Sequence, residues 1–392
     1  MKRKKLLSLC ISLPLLSGCW DQVELQELAI ITATAIDQLE DGRTRVSTQI
    51  FIPRSISSGE TGEDPNLGST FVRDGVGENM AQAISQLQMH IPRKLFWEQC
   101  KVYIFGNQLA KSIGIRDAID FLARHPSPRG NSYLFISEGE AKELLILVPP
   151  LERYSADALK KFTNTEYELT TTLRDVDMGL MGEGKSVVMP LVKRLKTQEK
   201  TRNEHQTIPI ISGTAVIKEG KLIGTLNPPE SYGYMWLNGS VSNSVVSITL
   251  EGFEGEISYQ PTLGSVKLSP LIKGDKWIMR LRFQLEGDIV QNETKLNLLD
   301  VEVMHQMKTA FEKEIKKQLE LTLNKFQKDL KCDGLRFGRK FHQKYPKEWK
   351  KVAANWDDKF SEIEVEISVD AEIRKPGYIG PPAAMPRDEV VK

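Results

Sequence analysis

Two segments in the last third of the chain alternate regularly between apolar and polar residues. One runs from Lys276 to Leu285 and the other from Glu362 to Ile373. A period of two predicts strands with one buried face. The first strand exposes Lys and Arg and the second exposes Glu and Asp, so ion pairs should form across them if they are neighbours.

A long helix is predicted between these strands, from about Leu299 to Leu330. Its apolar positions follow steps of three and four, namely Met304, Met307, Phe311, Ile315, Leu319, Leu323, Phe326 and Leu330. The stripe should pack on the apolar face of the sheet, and further helical structure is expected within 337–356. We therefore predict a C-terminal α+β domain over residues 263–375, an antiparallel sheet packed by a long helix, followed by a flexible tail at 376–392.

The first half of the chain alternates between strand and helix patterns. Strands are predicted at 30–36, 45–53, 100–105, 133–137 and 186–192, and helices at 78–89, 115–124 and 140–147. This order predicts an N-terminal α/β domain over residues 19–193. The segment 194–206 is dense in charge and is interpreted as a linker. Strands near 208–217 and 222–226 then open a small middle domain at 207–262, which completes a three-domain protein of the α+β class.

The chain begins with a basic and apolar leader. Lys2, Arg3, Lys4 and Lys5 precede an almost unbroken apolar run from Leu6 to Leu16. A membrane-spanning helix needs about 20 apolar residues, so this run is too short to be one. Its flanks are those of a secretory signal peptide, which we place at residues 1–18.

The leader ends in Leu16-Ser17-Gly18-Cys19, which resembles the lipobox of bacterial lipoproteins. The resemblance implies cleavage between Gly18 and Cys19, an S-diacylglycerol group on the Cys19 sulfur and an N-acyl group on the new amine. The alternatives are an ordinary cleaved signal and a buried cysteine. Cys10 is not a candidate because the bulky Leu9 precedes it.

Such a lipid would anchor the protein without a membrane-spanning segment. Stable anchoring takes at least two acyl chains, which the diacylglyceryl group supplies. No later apolar run approaches 18 residues. We therefore expect the protein on the outer face of a membrane, tethered at Cys19.

Composition and charge limit the other possibilities. Without the four basic residues of the leader, the chain carries 49 Lys and Arg against 52 Asp and Glu. This near-neutral balance argues against a nucleic-acid partner. Cys100 and Cys332 are the remaining cysteines; an exported protein could pair them, but their apolar surroundings favour two buried free thiols.

Several short motifs together resemble the spore germinant-receptor C subunits, the Ger(x)C lipoproteins. The motifs are Cys19-Trp20-Asp21, Glu24-Leu25, Ala29-Ile30, Ala35-Ile36-Asp37, Gln49-Ile50, Arg93-Lys94-Leu95-Phe96-Trp97, Lys101-Val102, Asp120-Phe121-Leu122-Ala123-Arg124, Asp333-Gly334, Phe337-Gly338, Tyr345-Pro346-Lys347-Glu348-Trp349, Trp356 and Phe360. They occur in order over nearly all of the mature chain. Cys332 and Leu335 depart from the family pattern, which usually shows a small residue and an isoleucine or valine there.

The resemblance implies a function without catalysis and without a cofactor. It implies a lipoprotein on the outer face of the inner spore membrane, which assembles with two integral membrane subunits into a receptor for nutrients and promotes germination. The contact surfaces are not readable from the sequence. Candidates are the segments 93–97 and 232–236, although aromatic residues in such places are more often core.

The sequence gives less support to two other functions. An enzyme is disfavoured because the five histidines are scattered without metal-ligand spacing. The segment Glu183-Gly184-Lys185-Ser186 is similar to the end of a phosphate loop, but it lacks the upstream glycine and is interpreted as an ordinary turn. A lipid-anchored solute-binding protein of a transporter would need two similar α/β lobes, which the third region does not supply.

Overall fold

The computed structural model describes residues 24–52, 69–125, 127–164, 169–196, 206–241, 244–375, 386 and 389–391. Within these residues the protein consists of a large mixed sheet and a smaller four-stranded sheet, both covered by helices. The α+β class predicted from the sequence is confirmed.

The large sheet has the order β3-β2-β1-β5-β6-β7-β8-β9, and the short β4 pairs with the start of β1. Its strands are β1 (Leu28–Gln38), β2 (Thr44–Phe51), β3 (Thr70–Gly77), β4 (Lys94–Phe96), β5 (Val102–Phe105), β6 (Tyr133–Ser137), β7 (Ser186–Arg194), β8 (Pro209–Lys218) and β9 (Lys221–Leu226). The central strands β1, β5, β6 and β7 are parallel, and the outer pairs are antiparallel. The centre of β5 is fully buried, as expected for a parallel strand covered on both faces.

Helices occupy the connections between these strands. They are α1 (Met80–Met89), α2 (Asn107–Lys111), α3 (Arg116–Arg124), α4 (Lys142–Leu145), α5 (Ser155–Asn164) and α6 (Leu173–Met181). The Asn79 side chain caps α1 by accepting from the amide of Gln82, and Thr172 and Asp175 form a capping box at α6. These caps explain where the two helices begin.

The large sheet continues across the segment predicted as a linker. Strands β7 and β8 lie on either side of it in sequence and pair with each other from Ser186↔Lys218 to Arg194↔Pro209. The first strands of the predicted middle domain therefore complete the large sheet. The division into three domains, with its boundaries, stays a prediction.

The small sheet has the order β10-β11-β12-β13. Its strands are β10 (Val246–Ile248), β11 (Ile257–Lys273), β12 (Lys276–Asn292) and β13 (Glu364–Lys375). The predicted antiparallel sheet is found for β10, β11 and β12, but the prediction is wrong for the last strand, because β13 runs parallel to β12. Several helices lie between these two strands, and this crossover carries the chain to the opposite end of the sheet, where β13 can start parallel to β12.

The two alternating strands are neighbours, as the charge pattern indicated. Arg280 is in register with Glu366, and its Nε lies 2.7 Å from the Glu366 carboxylate on the exposed face. The opposite face of β12 places Met279, Leu281 and Phe283 in the core.

The crossover consists of helices that cover this core. They are α8 (Val301–Asn324), extended by a π-helical turn at Lys325–Asp329, then α9 (Phe337–Lys344), α10 (Pro346–Val352) and α11 (Trp356–Ser361). The predicted stripe of α8 is buried from Met307 to Leu323, and Phe311 packs on Tyr259 with ring centroids 5.1 Å apart. The helix α7 (Pro228–Leu237) packs beside α8 and links the two sheets.

None of the described helices is long and apolar enough to cross a membrane.

Candidate functional site: the start of the chain and the junction of the sheets

The predicted anchor, Cys19, and the cleavage position after Gly18 lie outside the described residues. Lipidation and cleavage therefore stay predictions. The described chain starts at Glu24 with a short 3-10 turn at Leu25–Glu27, which leads directly into β1. At the start of β1, Leu28 pairs with Lys94 of β4.

Asp37 is a buried carboxylate at the end of β1, within the motif Ala35-Ile36-Asp37. Its Oδ1 accepts a hydrogen bond from the amide of Ala141 at 2.7 Å, and its Oδ2 accepts one from the amide of Lys142 at 3.0 Å. The Arg45 guanidinium lies 3.3 Å from Oδ2 and bridges to Glu140 at 2.7 Å. Asp37 thus fixes the start of α4 against the central strand.

The environment of Asp37 indicates a structural role for this side chain and not a catalytic one. Burial raises the pKa of this carboxyl, while the amides of Ala141 and Lys142 and the Arg45 guanidinium act in the opposite direction. Its side chain is only 3% exposed, so no substrate can reach it in this conformation.

Asp333 plays the corresponding role in the second part of the chain. It follows the long helix and is 2% exposed. Its Oδ1 accepts from the amide of Phe337 at 2.9 Å, and its Oδ2 accepts from the amide of Gly338 at 2.6 Å and from the indole of Trp356 at 2.9 Å. One carboxylate therefore fixes the beginnings of both α9 and α11.

The aromatic residues of the C-terminal motifs surround this carboxylate. The Trp349 and Trp356 rings lie 4.5 Å apart between centroids, and Trp277 from β12 contacts Phe341 at 4.7 Å. Burial in this cluster raises the pKa of Asp333, while the N–H groups of Gly338, Phe337 and Trp356 oppose the rise.

Asp333 also lies at the junction of the two sheets. Its carbonyl oxygen accepts a hydrogen bond from Ser186 Oγ, the first residue of β7, at 2.7 Å. Lys218 at the end of β8 donates to the Asp357 carboxylate at 2.6 Å and to the carbonyl of Gly184 at 2.9 Å. These bonds hold the turn between α6 and β7 against the C-terminal helices.

The segment similar to a phosphate loop forms this junction turn. Gly184 has no room for a side chain, because an added Cβ would lie 2.7 Å from the Asp333 carbonyl oxygen. Glu183 pairs with His342 of α9 at 3.0 Å. A cavity of about 280 Å³ opens beside the turn, bordered by Arg336 and Arg339. The observed contacts are those of a structural turn, in agreement with the interpretation from the sequence.

The two candidate contact segments are largely core. Leu95 and Trp97 are buried, while Arg93 and Lys94 are exposed. In the second segment Tyr234 and Trp236 are buried, and Tyr232 is 39% exposed. The aromatic side chains at these places mainly pack the interior, which matches the expectation that they are more often core.

In the part of the chain that the structure describes, no group of three or more His, Cys, Asp or Glu side chains is arranged to hold a metal ion. Cys100 and Cys332 are buried free thiols, which confirms the preference stated from the sequence.

Asp37 and Asp333 stand in the sequence motifs, but the motifs do not reveal their structural roles. A usable signal was present in both cases. An aspartate next to a run of buried apolar residues must find hydrogen-bond donors, because an unpartnered buried carboxylate is costly. The donors themselves, the amides at 141–142 and 337–338, are set by the fold.

Comparison with protein families gives two matches that together cover most of the chain. Residues 21–194 match the family described as spore germination protein N-terminal domain. Residues 212–377 match the family described as spore germination B3/GerAC like, C-terminal.

Individual relatives match over nearly their whole length. The spore germination protein KC of Bacillus subtilis (strain 168) is 26% identical over 96% of this chain and 97% of the relative. Spore germination protein A3 of the same organism is 24% identical over 96% of this chain and 98% of the relative. The crystal structure of the GerBC protein superposes with a TM-score of 0.59 at 19% identity, over 87% of this chain and 97% of that one, and so has the same fold.

Proposed function

This chain belongs to the spore germination B3/GerAC-like family, and we propose that it is the lipid-anchored C subunit of a nutrient germinant receptor. Its role is in spore germination. The proposal adds that the body of the protein is held by acylated Cys19 on the outer face of the inner spore membrane. There it assembles with the two integral membrane subunits of the same receptor.

One observation carries this proposal. The two family matches lie in order behind Leu16-Ser17-Gly18-Cys19, and the relatives match from end to end. A tether at Cys19 confines the protein to the membrane surface. Confinement raises the effective concentration of the body near membrane partners, so contacts that are weak in solution suffice for assembly.

The geometry supports an assembly subunit better than a solute-binding protein. Among the described residues, the two sheets differ in strand number and in order, so they do not form a pair of similar lobes around a cleft. The buried carboxylates Asp37 and Asp333 fasten helices to strands and are closed to solvent. Such a body is suited to presenting fixed surfaces to partners.

The anchor is tested by Cys19→Ala with Cys10→Ala as the matched control. Spores are labelled metabolically with an alkyne analogue of palmitate, and the label, the membrane fraction and the nutrient response are measured. We expect Cys19→Ala to lose the label, to leave the membrane fraction and to respond weakly, and Cys10→Ala to behave as the wild type. Full retention and a full response of the Cys19→Ala chain would overturn the anchoring proposal.

Assembly is tested separately by photocrosslinking in spore membranes. A crosslinking residue is placed at exposed positions of each part of the chain, such as Arg93, Tyr232 and Lys347. Adducts with the integral membrane subunits of the same receptor support the proposal. A chain that is lipidated and active but forms no such adduct from any exposed surface contradicts the assembly part alone.

A further inference from the structure

A groove of about 350 Å³ lies beside the turn where the described chain begins. It is lined by Leu25 of this turn, by Phe96 of β4, and by the start of α5 with the preceding Arg153. The groove is therefore part of the surface next to the N-terminal segment.

The length of chain between Cys19 and Glu24 limits how far this surface can lie from a lipid on Cys19. Five peptide units span at most about 18 Å when fully extended. If Cys19 carries the lipid, as the proposed function holds, the 3-10 turn lies within that distance of the membrane interface. The inference below rests on that part of the proposed function.

Leu25, which lines the groove, and Leu151, which is close in sequence to the lining residue Arg153, are unusually exposed. The side chain of Leu25 is 72% exposed, and that of Leu151, two residues before Arg153, is 91% exposed. Apolar side chains of peripheral membrane proteins enter the boundary between headgroups and acyl chains, where their burial is favourable. Neither leucine contributes to the cores of the protein.

The groove also carries an excess of positive charge. Lys101, Arg153 and Lys160 line it, and Asp157 is the acidic side chain among its lining residues. None of the three basic side chains forms an ion pair with another described residue, whereas the neighbouring Lys161 pairs with Glu152 at 2.7 Å. Glu24 and Glu27 of the adjoining turn are not among the lining residues; counted with Asp157 they equal the three basic side chains in number, so the positive excess is confined to the groove itself.

We propose that this face, defined by Leu25, Leu151, Lys101, Arg153 and Lys160, binds the anionic phospholipid headgroups of the membrane that carries the anchor. The basic side chains contact phosphate groups, and the two leucines enter the interface between them. Each Lys or Arg near an anionic surface strengthens binding by roughly fivefold. This second attachment would fix the orientation of the body, which a single flexible tether leaves free.

The test uses the full mature chain from residue 19 with Cys19→Ala, so that binding through the lipid is removed. It is sedimented with vesicles of phosphatidylcholine that contain roughly one third phosphatidylglycerol, and with phosphatidylcholine alone. We expect binding to the anionic vesicles that falls with added salt, and much weaker binding to the neutral ones.

A charge-matched pair of variants assigns the binding to this face. Lys101→Gln, Arg153→Gln and Lys160→Gln together should weaken binding by roughly a hundredfold. The control replaces Lys313, Lys347 and Lys350, which are exposed and lie on α8 and α10, by Gln. The control variant should bind the anionic vesicles with an affinity within about twofold of that of the chain without these lysine substitutions. Thermal melts verify that both variants fold.

Three results would overturn the inference. They are equal binding to neutral and anionic vesicles, equal losses in the two triple variants, and no binding to either vesicle. A photocrosslinker at Leu25 or Leu151 that labels an integral membrane subunit in place of lipid would also overturn it, since the face would then be a protein contact. Because the assay uses an unlipidated chain, its outcome is separate from whether Cys19 is acylated.

Discussion

The indole Nε1 of Trp356 donates a hydrogen bond of 2.9 Å to Oδ2 of Asp333, 23 positions earlier in the chain. The same oxygen accepts from the amide of Gly338, and the other carboxylate oxygen accepts from the amide of Phe337. Three segments of the C-terminal helices are thus fastened to one side chain. Asp333, Gly338 and Trp356, which belong to the motifs named in the sequence analysis, meet at this point.

Replacement of Asp333 by alanine should strongly destabilise the protein. It leaves three buried N–H donors without an acceptor, and each such donor costs about 1–3 kcal/mol. We expect the free energy of unfolding to fall by at least about 3 kcal/mol, measured by urea denaturation followed through tryptophan fluorescence. The matched control is Asp358→Ala on the exposed side of α11. A loss for Asp333→Ala no larger than that of the control would contradict the role of this carboxylate.

The titration of Asp333 should be visible as a pH-dependent difference between the wild type and Asp333→Asn. Burial raises the pKa of Asp333 above its ordinary value of 3.8, so the folded state holds the proton more tightly than the unfolded state. The wild type, relative to the non-titrating variant, should be most stable below the unfolded pKa. It should lose stability as the pH rises through the folded pKa. The urea midpoints of both proteins, measured over the acidic pH range, give this difference in stability. If the wild type instead gained stability relative to Asp333→Asn as the pH rises, the prediction of a raised pKa would be contradicted.

Gly338 should not tolerate even a methyl group. It lies in the first turn of α9, where Gly→Ala would normally stabilise a helix by about 1 kcal/mol. Here an added Cβ would lie 2.9 Å from the Trp349 ring and 3.0 Å from Trp356 Nε1. We expect Gly338→Ala to lose about 1–3 kcal/mol of stability by overpacking. Gly139→Ala is the control, since an added Cβ there meets no atom within 4 Å; equal effects of the two substitutions would argue against tight packing at Gly338.

The sequence pattern located most strands and helices but missed β3. The segment Thr70–Gly77 contains Gly75 and Gly77, which weaken a strand signal. Both glycines are needed because α1 packs directly on this strand, and added side chains would collide with its backbone at Ala83. The residues that hide the strand in the sequence are those that let the helix approach it.

The full length of β11 is likewise not evident from the sequence. Pro261, Gly264 and Pro270 interrupt the strand pattern, and prolines are excluded from central strands. Beyond Tyr259 the strand pairs only with β12, because its pairing with β10 ends at Tyr259. An edge position tolerates proline, and this position follows from the tertiary arrangement, which local sequence does not contain.

The contacts at the junction of the two sheets could not be predicted from the sequence for a similar reason. Ser186 and Asp333 are 147 positions apart; Ser186 starts β7 of the large sheet, and Asp333 lies between the helices that cover the small sheet. Each was visible as part of a motif or a turn, yet their partnership depends on how α6, β7 and α9 are placed. The periodicity of apolar residues predicts which face of a helix or strand is buried, but it does not predict which other element packs on that face.

The two buried thiols give a further test of the junction. Burial raises the pKa of both Cys100 and Cys332 to about 11, against an ordinary value of 9.0. A rise of this size lowers the reactive thiolate at neutral pH by about a hundredfold. In the mature chain with Cys19→Ala, we expect almost no reaction with a thiol reagent near pH 8 while the protein is folded. Both thiols should react once it is unfolded without a reductant.

The distribution of this labelling should depend on Asp333. Cys332 is its chain neighbour at the junction, whereas Cys100 lies beside β5, where its Sγ is 3.3 Å from Thr34 Oγ1. Local opening of the C-terminal helices exposes the first thiol and leaves the second in the core of the large sheet. In Asp333→Ala and Gly338→Ala under native conditions, labelling of Cys332 should therefore accelerate by at least about tenfold, while Cys100 serves as the internal reference.

Mass spectrometry of tryptic peptides separates the two sites. Parallel acceleration at both cysteines would mean that these substitutions unfold the whole protein, and the junction would then not be a separately opening unit.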